Sequence, residues 1–321
     1  MSYTHFPNGI TSFGVPVTGG AADSVILGTI WFVDTTNGSD GNSGLLPTQA
    51  FKTIQKAITT QIANTSGLGD IIYIAPGNYT EILTGNLTNV SLIGCNTGHP
   101  WQAVMVYPGT TTAYTGDMSG AMFKNITFMS AASGAPTLPA VHLGNMRYSI
   151  IEDCHFSGQA AACITGLQIG PETDVATDAH MDYSIIRRNH IGTWNGAASE
   201  FQYGIKLGTL AGTTGDGHHF CIGTKIEYND IFAELSGITL NVAVDTAVHT
   251  IIRGNVIDSA QAATGVTGEG IEVENSARVM VIDNRICADT ASAIAQASTG
   301  RVLNNWISEN GTAQIDAPAM S

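Results

Sequence analysis

The chain has 321 residues, of which 43% are hydrophobic, only 12% are charged and 37 are glycine. Twelve Lys and Arg against 26 Asp and Glu give a formal charge of −14, which argues against nucleic acid or an anionic bilayer as a partner. No apolar run reaches the roughly 18 residues of a membrane span, and the start carries no basic patch leading into an apolar run, so neither a span nor a secretory signal is expected. High Gly and low charge, with many Thr, Ser, Asn and Ile, suit sheets and turns better than helices. Cys95, Cys154, Cys163, Cys221 and Cys287 are odd in number and lack a C-x-x-C spacing, so they read as buried free thiols of a protein made in a reducing cytoplasm.

Residues 1–30 read as an extended arm. Phe6, Ile10, Phe13, Val15 and Val17 alternate with Gly and Pro and have nothing of their own to pack on, so the arm is expected to lie on its own body or on a neighbour. A strand follows at 30–34, then the turn-rich loop T-T-N-G-S-D-G-N-S-G. Asp34 and Asp40 sit there beside Asn37 and Asn42, which invites a Ca²⁺ reading. The twelfth-position acid of an EF-hand is missing, and tight turns also use Asn, Asp and Gly, so no metal or other cofactor is expected. Residues 47–63 carry the only convincing helix, with Phe51, Ile54, Ala57, Ile58 and Ile62 on one face and Pro47 and Thr48 at its start. One amphipathic helix ahead of a strand-rich body is expected to cap its open end. The strand and helix at 31–63 form a cap unit in this reading.

Three blocks then arrive in order over residues 31–81: V-D-T-T-N-G-S-D-G-N-S-G, A-F-K-T-I-Q-K-A-I and G-D-I-I-Y-I-A-P-G-N-Y-T-E. Together they resemble the opening of pectate-lyase-like right-handed parallel β-helix proteins. That resemblance implies an all-β, three-sheet solenoid, expected over 64–310, with a short C-terminal tail at 311–321. The superfamily holds lyases, hydrolases, epimerases and virion proteins, so the likeness implies fold rather than activity.

The rest of the chain repeats one phrase. I-I-R-R-N-H-I (185–191) returns at 225–231, 251–257, 280–286 and 301–307, with degenerate copies at 150–156 and 121–127. Its fixed form and unequal gaps mark a solenoid whose loops absorb length. Flanking Ile residues point inward, so Asn125, Asn189, Asn229, Asn255, Asn284 and Asn305, with Cys154 replacing Asn once, are expected to form an inward ladder at a left-handed bend. A second phrase, such as G-I-K-L (204–207), alternates with it. Its middle residues, His142, Gln168, Lys206, Thr239 and Glu272, then form an outward column, the first place to look for a binding groove.

Chemistry is thinly marked. Glu272 and Glu274, close to Glu269, are spaced for a glycosidase pair, and equally for a solvated acidic strand face. The stretch 174–182 gathers Asp174, Asp178, His180 and Asp182, a site or a polar loop. The arm N-G-I-T-S-F-G-V-P-V is similar to the leader of phage structural proteins. The leading expectation is therefore a virion structural protein of a tailed phage, a decoration, spike or other particle-attached protein held by its arm to capsid or tail proteins. Trimers are frequent among phage β-helices that resemble this chain. The alternatives are a tailspike-type depolymerase acting on a bacterial surface polysaccharide, and a non-catalytic glycan-binding adhesin.

Overall fold

Alternation dictates the inner wall. The second Ile of each Asn phrase points inward, and Ile151, Ile186, Ile226 and Ile252 are wholly buried. A computed structural model describes residues 11–12, 15–16, 28–64, 69–95, 103–109, 111–130, 138–158, 164–170, 179–192, 201–208, 219–241, 247–259, 269–274, 278–288, 293–296, 301–309 and 312–315. In it the strands of the seven phrases follow three earlier ones, giving ten parallel strands from Ile30–Val33 to Arg301–Leu303 in one sheet. This is the first wall of a right-handed parallel β-helix. A second wall runs from Gly77–Tyr79 through His155–Ser157 to Trp306–Glu309. The third carries Val141–Arg147, Thr165–Ile169, Phe201–Leu207 and Glu269–Glu274. Strand Asp230–Asn241 passes from the second wall into the third without a break. Short strands Ala179–Asp182 and His219–Ile222 then continue the third wall towards the bend into the next first-wall strand.

The core between the walls is a column of stacked side chains, including Phe123, Phe128 and Phe156 with ring centroids 5.2 and 5.7 Å apart. Each third-wall phrase begins with a small residue because the final Ile of an Asn phrase occupies that space. A Cβ on Gly204, Gly237 or Gly270 would lie 2.3, 2.3 or 2.1 Å from Cγ2 of Ile231, Ile257 or Ile286.

Register corrects two details of the ladder. Lys124 pairs with Glu152, so Ile126, not Asn125, stands in the column of Cys154. The degenerate copy begins one residue later than its letters suggest. Asn125 instead takes the left-handed position (φ 56°), together with Asp153, Arg188, Tyr228, Gly254, Asp283 and Asn304. The ladder Asn thus follows the left-handed residue, and its amide is free to bond along the stack.

At the first end, Phe51, Ile54, Ala57 and Ile58 are buried as expected. The helix itself spans Ile54–Asn64, and Pro47–Gln49 is a separate 3-10 turn. Phe51 lies extended between them because its backbone bridges to Val33. Gln61 rather than Ile62 completes the buried face; Ile62 is 40% exposed and leans over Gly85. Two side chains tie the helix down. Glu81 accepts from the backbone N–H of Ile54 and Gln55 at 2.8 and 2.9 Å, and Gln55 bonds both backbone groups of Thr84. The helix thereby satisfies an edge that no further strand pairs among the described residues. Strand Ile30–Val33 pairs in register with Asp70–Ile74, so the cap strand is the first strand of the solenoid itself and the boundary drawn at 64 falls inside it. At the far end Thr312–Ile315, within the expected tail, folds back antiparallel on Trp306–Glu309 and covers that strand's edge. In the arm, Thr11–Ser12 pairs with Val15–Pro16 in a hairpin that joins neither solenoid sheet. Phe6, Ile10, Phe13 and Val17, and the side chain of Val15, lie outside the described residues.

Candidate functional site

The outward column of the third wall stacks as the phrases require: His142 pairs with Gln168, Gln168 with Lys206, Lys206 with Thr239 and Thr239 with Glu272. It is not an open face. His142, Gln168, Lys206 and Thr239 are buried, with Gln168 at 0% and Lys206 at 3% exposure. Alternation says which side of a sheet a residue takes, but not whether other chain covers that side. Several of their polar atoms bond within the wall, although Gln168 Oε1 is buried without a hydrogen-bond partner among the described residues. His142 Nε2 lies 2.6 Å from the carbonyl of Gly170, and Gln168 donates to the carbonyl of Gly208, each one coil further on. Lys206 Nζ sits 4.0 Å from the ring centroid of Tyr203, a cation held against an aromatic face. Thr239 donates to Glu272 at 3.3 Å. Burial, with the charges of Glu272 and Glu269, pushes the Tyr203 hydroxyl up. Glu274 lies in the same strand, but its side chain is outside the described residues, so the Glu272–Glu274 spacing has no described geometry.

The stretch 174–182 divides. Asp174 and Asp178 are outside the described residues. His180 and Asp182 share one face of their strand, with His180 Nδ1 2.9 Å from Asp182 Oδ2. Arg147, the register partner of Asp182, brings Nε to 3.7 Å of the same oxygen. Asp182 is 9% exposed, and its Oδ1 is buried with no hydrogen-bond partner. The imidazole stacks on Phe220, with centroids 4.6 Å apart and planes 7° apart.

Behind this trio runs a polar ladder that the two longer phrases do not include. Asn86 accepts from the Asp117 N–H, Asp117 from the Asn145 N–H, and Asn145 from the His180 N–H. Asn86, Asp117 and Asn145 each follow a glycine and precede Leu87, Met118 or Met146, and this short repeated phrase is the signal that sequence reasoning passed over. Gly144 is small for a related reason, since a Cβ there would meet Asp117 Oδ1 at 2.6 Å. The trio therefore holds one carboxylate oxygen between an imidazole and a guanidinium, with the guanidinium the most exposed of the three. It offers hydrogen bonds and charge to a polar ligand. Asp117, the carboxylate of that ladder, accepts from the Asn145 N–H.

The loop carboxylates are spent on turns. Asp34 accepts from the N–H of Thr36 and Asn37 and from the Asn37 amide, and the Asn37 bond heads the causes holding its carboxyl below the usual range. Asp40 accepts from the backbone N–H of Lys52 and Thr53 and from the Thr53 hydroxyl. Among the described residues no group of three or more His, Cys, Asp or Glu is arranged to hold a metal ion.

The Asn ladder is continuous. Each of Asn189, Asn229, Asn255 and Asn284 donates its amide to the carboxamide oxygen of the next Asn and to a carbonyl of the preceding coil, such as Ile226 for Asn255. Each of those Asn N–H groups bonds the next Asn as well, and Cys154 N–H closes the series on Asn189. All five Asn are buried. Cys154 and Cys221 are free and buried, and burial pushes both thiols up to about 12.

No protein-family model matches the chain, and no curated protein sequence matches it. Solved structures do. Pectate lyase Pel9A is 12% identical, with 88% of this chain and 78% of that one aligned at a TM-score of 0.52. The deglycosylated pectin methylesterase from Aspergillus niger is 18% identical over 92% and 93%, at 0.51. DFA-IIIase from Arthrobacter chlorophenolicus A6, without its lid, is 16% identical over 86% and 71%, at 0.52. The likeness is one of fold. It is the right-handed parallel β-helix of the sequence resemblance, and at these identities it carries no activity across.

Proposed function

We propose that this chain is a structural β-helix of a tailed-phage particle, held to capsid or tail proteins by its N-terminal arm, with the virion as its destination. The observation that supports this most is the use made of the third wall. There the groups best placed for a groove, His142, Gln168 and Lys206, are buried and bonded into the wall itself. A wall built that way acts as a rigid shaft. The arm's hairpin, joined to neither solenoid sheet, suits a segment that docks elsewhere. Contact with host-surface glycans falls to the exposed Arg147 guanidinium, with His180 and Asp182 beside it.

The test is removal of residues 1–20. The truncated chain should melt at the same temperature as the full chain yet no longer co-sediment with particles. A folded truncation that attaches as well as the full chain sinks the reading. A second reading, a polysaccharide depolymerase, is favoured by the grouping of Glu272 with Thr239 and the Tyr203 hydroxyl. It predicts release of reducing ends or unsaturated uronate from a polysaccharide panel, abolished in Glu272→Gln. No release from any member leaves the structural role standing.

A further inference from the structure

Cations are scarce in this chain, twelve Lys and Arg in all, and most of them have a partner. Lys124, Arg187 and Arg188 all reach Glu152, at 2.6, 2.7 and 2.9 Å, and Arg253 binds Glu227 at 3.2 Å. Lys206 and Arg285 lie over the rings of Tyr203 and Trp306. Among the described residues only Lys52, Lys225, Arg278 and Arg301 have a side chain with neither a carboxylate nor an aromatic ring as partner. All four are exposed. Three of them, Lys225, Arg278 and Arg301, stand together on the outer face of the first wall.

The outward column of that wall which starts at Met122 is apolar and only partly buried as far as Met280, apart from Lys225. Its last four members are Lys225, Ile251, Met280 and Arg301, in successive register. Two apolar side chains therefore lie between two cations whose Cα atoms are three coil steps, roughly 14 Å, apart. His249 and Arg278 precede Ile251 and Met280 by two residues, at left-handed bend positions with φ 56° and 71°, and so stand side by side along the edge. These side chains enclose a hollow of about 440 Å³ lined by His249, Ile251, Arg278, Val279, Met280 and Arg301. Its floor is apolar and its rim is cationic. Glu227, the outward carboxylate nearest in register, is already taken by Arg253.

From this we infer that the hollow binds a small organic anion with an apolar body. Its carboxylate, sulfonate or phosphate group lies at the guanidinium groups of Arg278 and Arg301, which form charge-assisted hydrogen bonds to such oxygens. Its aliphatic or aromatic body lies on Ile251, Val279 and Met280, where leaving water is favourable. A concave apolar floor with a few convergent polar groups is the usual make-up of a small-ligand site. A sugar fits less well. The lining has no side-chain carboxylate, amide or hydroxyl, so sugar hydroxyls brought out of water there would lack acceptors. With a formal charge of −14 on the chain, the unpaired rim is also where the local field best suits an anion. The site uses no residue of the arm or of the trio around Asp182, so its failure and the failure of particle attachment are separate results.

The test is titration of the full chain with anilinonaphthalene sulfonate, an apolar anion that fluoresces on leaving water. Saturable binding with a dissociation constant of about 100 µM or below is expected, together with a rise in melting temperature. Decanoate or phenyl phosphate should displace the dye, and whichever does so more strongly identifies the anionic group. Decanol has the body without the charge, and glucuronate has the charge on a hydroxyl-rich body, so both should compete about tenfold more weakly or worse. Arg278→Gln with Arg301→Gln should weaken dye binding at least about tenfold. The melting temperature of the free protein should not change, because both side chains are exposed and unpaired. Lys52→Gln, which removes the unpaired cation of the capping region, should leave binding as it is. No saturable binding up to about 1 mM dye, binding indifferent to the double Gln substitution, or glucuronate competing as well as decanoate overturns the inference.

Discussion

At the scale of single residues, position along the stack decides what a polar group is worth. Asn255 is wholly buried and bonds Asn229, Asn284 and Ile226 at 2.9–3.0 Å. Asn255→Ala leaves partners on both sides unsatisfied and should cost about 3 kcal/mol, measured by urea unfolding. A loss below about 0.5 kcal/mol, the scale of a neutral surface substitution, would mean the ladder bonds carry no weight. The Glu152 carboxylate works through charge. Burial alone would raise it, but the hydrogen bonds and charges of Lys124 and Arg187 outweigh that and hold it at about 2. A depressed carboxylate contributes stability that is fully present above its unfolded value of about 4.3 and is lost as pH falls through the folded value. With both cations about a third exposed, the contribution is discounted to about 2 kcal/mol. Stability should therefore fall between pH 4.5 and 2 in the natural chain, and the slope should flatten in Glu152→Gln. Glu81, which burial pushes up instead, has the opposite sign and loses a little stability as it ionises.

At the scale of elements, the two repeated phrases are one packing unit. Gly237 is small because Ile257 fills the space, and Gly237→Ala would force a contact of 2.3 Å. The substitution should destabilise by about 2 kcal/mol. Combining it with Ile257→Ala should cost less than the sum of the two single changes by at least about 1 kcal/mol, since each then relieves the other. Strict additivity in thermal or urea unfolding would show that the two positions do not share that space. This unit was legible beforehand, because Gly and Ile recur at fixed places and a recurring small–large pair has few other causes. The shifted copy at 121–127 was not. Two Asn-containing frames differ there by one residue, and only the pairing of Lys124 with Glu152 chooses between them. The same holds for the helix start, where Pro47 suited a first turn but the bridge from Phe51 to Val33 moved the helix to Ile54.

At the scale of the whole molecule, the question is which face meets something else. The third wall is buried along its outward column, while the apolar outward column of the first wall is only partly buried, so the glycan contact proposed above is tested at the trio around Asp182. Asp182→Asn should leave the melting temperature within about 2 °C, because one oxygen is already unpartnered. Glycan binding, followed by a surface array or by calorimetry, should drop at least tenfold. Unchanged binding would move the glycan contact off the third wall. The sequence by itself determined the solenoid, the inward Ile columns, the Asn ladder and the capping helix, because each follows from a local period repeated many times. Tertiary structure alone decided that the column of His142, Gln168 and Lys206 is covered, that Arg147 and Asp182 meet and that the Met122–Met280 column is open. Those outcomes depend on loops of unequal length and on which side of a sheet other chain happens to cover, and neither carries a period that a sequence can show.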